Sequence, residues 1–100
     1  LNSSFATDED LVVLVYVENE EIDRLELTKE RQTKTYFKSN YDVFLGDITI
    51  EIIDYKVKVE DETSPKKYCS IQGYVEQVAR PIICLPNSFY VVIMGASYGT

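Results

Sequence analysis

Apolar residues fall along this chain in short runs, many with a period of two, and no helical stripe of period 3.6 is sustained over about ten residues. The clearest run is Leu11-Val12-Val13-Leu14-Val15-Tyr16-Val17. It is β-branched and aromatic, of strand length, and too short for a helix of this composition. With no polar side chain to turn toward water, it predicts a central strand covered on both faces. Phe89-Tyr90-Val91-Val92-Ile93-Met94 repeats the pattern before Gly95 and carries the same expectation.

Between these runs the punctuation predicts further strands. Glu18–Glu21 is a turn, followed by a strand with Ile22, Leu25 and Leu27 inward and Arg24 and Glu26 facing water. Residues 28–32 form a polar loop or a single helical turn. Thr33–Lys38 is a strand, Ser39-Asn40 a turn, and Tyr41–Leu45 a short strand ending at Gly46-Asp47. In the next stretch Ile48, Ile50 and Ile52 share one parity, whereas Ile53, Tyr55, Val57 and Val59 share the other. Strict alternation sends these sets to opposite faces, so either a β-bulge near Ile52-Ile53 or a strand crossing between two sheets is expected. After the loop at 60–67, a three-strand meander is expected. It comprises Tyr68–Val78, a turn at Ala79-Arg80-Pro81, Ile82–Leu85, a turn at Pro86-Asn87-Ser88, and Phe89–Gly95.

About seven or eight short strands with regular turn signals predict an all-β antiparallel β-sandwich, of jelly-roll or Ig-like topology. The chain reads as a single sandwich domain, residues 1–100, with a polar N-terminal leader over residues 1–10. At this size it can bury roughly 65% of its unfolded surface without an obligatory metal or disulfide. Arg80-Pro81-Ile82-Ile83-Cys84-Leu85 followed by Tyr90–Gly95 resembles the last hairpin of nucleoplasmin-type jelly-roll cores, a resemblance that implies a strand–turn–strand there.

Charge narrows the partners. Seventeen acidic against ten basic residues give a net charge of −7, which disfavours nucleic acid because phosphate binding needs a cationic face. No apolar run reaches the ~20 residues of a membrane span, so no membrane insertion is expected. The acidic clusters Asp8-Glu9-Asp10, Glu18/Glu20/Glu21 and Glu60-Asp61-Glu62 sit at strand ends, where calcium sites are built. They lack the alternating Asp pattern of a calcium loop, and solvated surface charge is the expectation, with no metal and no cofactor.

Candidate chemistry is sparse. Histidine is absent, which removes the usual general base. Gly95-Ala96-Ser97-Tyr98-Gly99 matches the G-x-S-x-G elbow but has no histidine to serve it, and Ser64-Pro65-Lys66-Lys67 matches S-x-x-K in a proline-broken loop. The chain is therefore expected not to be an enzyme. The eight tyrosines are expected mainly as half-buried strand residues. Asn2-Ser3-Ser4 is a sequon that marks Asn2 for glycosylation in a secreted protein. Cys69 and Cys84 suit one bridge closing a loop of about 15 residues. In a hairpin turning at 79–81, however, Cys69 faces a position near Val91 and Cys84 one near Glu76, so buried free thiols are expected.

Two functions follow. The first is a non-catalytic structural subunit, extracellular, at the cell surface or in a virion, that self-associates into a filament, pilus or virion assembly. It pairs through the strands bearing Leu11, Val13, Val15 and Val17, and Phe89, Val91 and Ile93, because a small domain has limited means of covering two such strands twice. The second is a monomeric extracellular Ig-like module that recognises a protein or glycan through the end loops Glu18–Glu21, Ser39–Asn40 and Asp61–Lys67.

Overall fold

The computed structural model describes residues 10–61, 69–84 and 87–99. Among them seven strands form: β1 (Leu11–Val17), β2 (Glu20–Glu26), β3 (Gln32–Tyr36), β4 (Ile48–Ile53), β5 (Lys56–Asp61), β6 (Ile82–Cys84) and β7 (Phe89–Gly95). They make two antiparallel sheets, ordered β2-β1-β7-β6 and β3-β4-β5. Leader residues 1–9, among them Asn2, and residues 62–68 lie outside the described residues.

The two doubly apolar runs are neighbours. β1 and β7 pair along their whole length, from Leu11 opposite Gly95 to Val17 opposite Phe89, and fill the middle of the larger sheet. Val13, Val15, Val17, Phe89, Val91 and Ile93 face a core shared with the smaller sheet, against Ile48, Ile50, Ile52, Val57 and Val59. Burying each such side chain is worth about 1.5–3 kcal/mol. Val12 and Leu14 are also buried but lie outside that core. They belong to the outer face, paired with Met94 and Val92.

That outer face is covered by the chain itself. Arg24, opposite Leu14, does not simply face water. Its Nη1 donates to the Ala96 carbonyl at 3.2 Å and its Nη2 to the Tyr98 carbonyl at 3.0 Å, holding the turn after β7 against the sheet. Glu21 supplies the countercharge at 3.1 Å. Ser97 of the G-x-S-x-G match sits in this turn, with no helix after it among the described residues.

The parity break in residues 48–59 is a hairpin, neither a bulge nor a crossing. Ile48, Ile50 and Ile52 pair with Asp61, Val59 and Val57. A two-residue loop joins positions of opposite parity, so the buried set must switch from even to odd. The loop is Asp54-Tyr55, with φ of 52° and 60°, the left-handed pair of a type I′ turn. Glu18-Asn19, with φ of 52° and 67°, makes the same turn between β1 and β2.

Two further expectations fail. Tyr41–Leu45 is not a strand. After a 3₁₀ turn at Lys38–Asn40 it drives Phe44 into the core, where that ring meets Phe89 edge-on at 5.8 Å and Tyr41 at 4.7 Å. Nor is residues 69–78 a meander strand. Cys69 leads into a second 3₁₀ turn, Ser70–Gln72, and Gly73 at φ 69° breaks any extended run. Because this segment does not pair with β6 as a hairpin partner, the register that separated the cysteines does not exist. Cys69 and Cys84 are joined in a disulfide, with Cα atoms 5.3 Å apart.

Candidate functional site

Three loops from three different hairpins meet at one end of the body. The β1–β2 turn is tied to the loop before β7 by the Glu18 amide, which donates to the Ser88 carbonyl at 2.8 Å. The β3–β4 loop is tied to the same segment by the Leu45 amide, which donates to Asn87 Oδ1 at 2.6 Å. Asn87 is wholly buried, so its side chain works as an internal bracket between loops. Asp47 Oδ1 accepts the Lys38 amide at 2.9 Å and closes the β3–β4 loop on itself. Beneath lie Phe44, Phe89 and Tyr36, with Tyr36 and Phe89 centroids 5.8 Å apart. The loops are thus set on an aromatic base.

Beside this end opens a cleft of about 460 Å³ lined by Glu18, Asn19, Ile83, Cys84, Ser88, Phe89 and Tyr90. Its floor is apolar, and Ile83 is a large exposed hydrophobic residue. Its lip carries the exposed Glu18 carboxylate, and Glu20, also exposed, follows at the start of β2. Such a surface can take an apolar group flanked by positive charge.

A second concavity, of about 230 Å³, lies on the outer face of the larger sheet between Tyr16, Tyr90, Tyr98, Ala79, Pro81, Val92 and Met94. Tyr16 and Tyr90, a cross-strand pair, stack at 4.7 Å and 8°. Burial, then the Glu21 carboxylate, push the Tyr16 phenol above its ordinary value, and Arg24 opposes the rise. The phenol is therefore neutral at ordinary pH.

Of the residues nominated from sequence, Val13, Val15, Val17, Phe89, Val91 and Ile93 point into the shared core, with Leu11 packed at its margin. The chain's own outer-face residues occupy the other parity. The end loops fare differently. Glu18–Glu21 and Ser39–Asn40 converge on one end, and β5 brings Asp61 there opposite Ile48. Residues 62–67 lie outside the described residues. Asp10 is at the opposite end, where its carbonyl accepts the Ala96 amide at 2.8 Å, apart from the acidic turn at Glu18–Glu21. Among the described residues no group of acidic or cysteine side chains is placed to hold a metal ion. Asn87, read from sequence only as a turn residue, is the bracket that sequence reasoning missed. Burial of an Asn between Pro86 and Ser88 leaves no pattern along the chain.

The architecture is similar to known structures. The Lin0431 protein of Listeria innocua superposes with a TM-score of 0.72 at 17% identity, covering 88% of this chain and 99% of that one. A DUF1312 family protein of Enterococcus faecalis gives 0.73 at 19% identity over 86% and 98%. A second, from Ruminococcus gnavus, gives 0.65 at 22% identity over 85% and 99%. No curated protein matches. The family model for NusG domain II matches residues 1–97, and the chain belongs to that family.

Proposed function

For this member of the NusG domain II family we propose a non-catalytic binding module that engages a partner protein through the end where the 18–19, 37–47 and 87–88 loops meet. The observation that carries the reading is the bracket at Asn87, which fixes loops of separate hairpins around a cleft with an apolar floor and an acidic lip. Loops held on a rigid β scaffold are where binding residues commonly sit. The net charge of −7 favours a partner segment carrying Lys or Arg beside an apolar anchor. The two sheets sharing one core read as an open sandwich of four and three strands. That division equals the immunoglobulin constant type, although the strand order differs. The disulfide favours an extracellular setting.

Self-association into a filament or virion assembly has weaker support. Its premise was that β1 and β7 need a neighbour to cover their second face, and Leu14 is already wholly buried by this chain alone.

Amide chemical-shift mapping with three probes tests the reading: amphipathic basic peptides, neutral peptides of equal length, and oligosaccharides. Basic peptides are expected to shift Glu18, Asn19, Ile83, Ser88 and Tyr90. Selective response to oligosaccharides, or response confined to the Tyr16–Tyr98 face, defeats it. Light scattering at high concentration is expected to return a monomer, and a concentration-independent oligomer restores the assembly reading.

A further inference from the structure

Residues 69–80 run as a strap along one side of the body and seal the outer rims of both sheets. At β6 the Gln72 side chain replaces a neighbouring strand: its Nε2 donates to the Ile83 carbonyl at 2.8 Å and its Oε1 accepts the Ile83 amide at 3.1 Å. At β5, Val75 exchanges both backbone hydrogen bonds with Val57, at 2.9 and 2.8 Å. At β7, the Ala79 amide donates to the Ile93 carbonyl at 2.8 Å. Tyr74 lies on the outside of the smaller sheet, its hydroxyl donating to the Glu51 carboxylate and its ring under the ammonium groups of Lys56 and Lys58.

What these contacts lack is buried apolar area. Within the strap only Cys69 and Val75 are buried, while Ile71 is 80% and Val78 50% exposed. Apart from the buried Val57–Val75 pair, the contacts of Gln72 and Tyr74 are exposed and contribute little, and segments with few buried apolar contacts open at low cost. The covalent bond from Cys69 to Cys84 is then the strongest tie between strap and sheet. Cys69, Cys84 and Val75 close one margin of the core, whereas Ile82, Phe89, Val91 and Ile93 pack against the smaller sheet from β6 and β7 themselves.

We propose that the Cys69–Cys84 disulfide is the latch of a redox-operated strap, whose reduction releases residues 69–80 from the rims of β5 and β6 while both sheets stay folded. The reductant is a dithiol. Two electrons and two protons pass from it to the Cys69–Cys84 bond, leaving two thiols on this chain and a disulfide on the dithiol. Cys84 adjoins the cleft at the loop end, but both cysteines are wholly buried, so the dithiol reaches the bond through local opening of the strap. Release uncovers the backbone groups of Val57 and Ile83, and with them two edges able to accept an extended strand.

Amide hydrogen exchange tests this, comparing the oxidised protein with the same protein in dithiothreitol after thiol alkylation confirms complete reduction. Exchange at Val57, Val75 and Ile83 is expected to rise about tenfold or more while β1 and β7 keep their protection. Unchanged exchange at those three amides overturns the proposal, as does an equal loss across β1 and β7. Gln72→Ala with the disulfide intact supplies the second arm. It is expected to expose Ile83 alone, and release of Val57 and Val75 as well would make Gln72 the latch and refute the assignment to the disulfide.

Discussion

Tyr36 reaches from β3 in the smaller sheet to Asp23 on β2 in the larger one, its hydroxyl donating to Asp23 Oδ2 at 2.8 Å. Lys34 Nζ lands on the same oxygen at 2.8 Å, and the Arg24 amide donates to Oδ1 at 2.8 Å. Asp23 sits opposite Val15, a position that elsewhere in the sheet is apolar. A carboxylate is tolerated there because three donors replace its lost water. This clasp joins the sheets along the side opposite the strap.

Replacing Tyr36 by Phe keeps the ring against Phe89 and removes one charge-assisted hydrogen bond. The expected loss is about 1–2 kcal/mol, read as a lowered midpoint in urea denaturation with unchanged slope. Tyr36→Ala also removes the buried ring and is expected to cost about 3–5 kcal/mol.

The same pair sets the pH limits. Burial raises the Asp23 carboxyl, but Lys34, Tyr36 and the Arg24 amide outweigh it, and the group lies below its usual range. A depressed folded value means that the contribution is present above the ordinary Asp value of ~4 and is lost as pH falls through the folded value. Tyr36 is raised by burial and then by Asp23, so its contribution is full below ~10 and declines as pH rises beyond that. Urea midpoints measured across pH are expected to fall at both extremes, and Tyr36→Phe is expected to reduce the alkaline fall, Tyr16 and Tyr74 being raised as well.

Tyr55 occupies the second position of a type I′ turn at φ 60°, a conformation that disfavours aromatic residues, and its side chain is exposed. Tyr55→Gly relieves that cost without touching the core. Thermal unfolding is expected to report a gain of about 0.5–1 kcal/mol. A loss would mean that the ring makes a stabilising contact in solution.

Charge placed along β7 is expected to be tolerated by one parity only. Val91 is wholly buried between the sheets, and Val91→Lys should cost several kcal/mol against a total of about 5–15 and abolish folding. Val92 is half-buried on the outer face, where a lysine stem can lie along Leu14 with its ammonium in water, at a cost of about 1 kcal/mol. Circular dichroism and light scattering separate the two variants, and an unchanged particle size for Val92→Lys is expected.

β1 and β7 were legible to the residue because continuous apolar runs have one solution in a small β protein, the centre of a sheet. The division at Ile52-Ile53 was legible as a fault in parity but not as a turn, since Asp54-Tyr55 lacks the glycine that usually announces one. Residues 68–78 misled for the opposite reason. Cys69, Ile71 and Val75 share one parity, but the contacts that decide their path are a glutamine side chain imitating backbone and a covalent bond, and neither follows a period. At the loop end the acidic turns could be read from composition, whereas Asn87 acquires its role only from what surrounds it.

The pairing of β1 with β7 also shapes how the chain must fold. It joins residues some eighty positions apart, as in Val13 opposite Ile93, so the two central strands can zip only after a very large loop has closed. Their far ends nonetheless finish side by side, with the Ala96 amide on the Asp10 carbonyl. A circularly permuted chain, joined between residues 96 and 10 by a short linker and opened between Asp61 and Cys69, keeps every strand pair, because no ladder joins β5 to β6. It turns the most distant pairing into a local hairpin, and its folding is correspondingly faster.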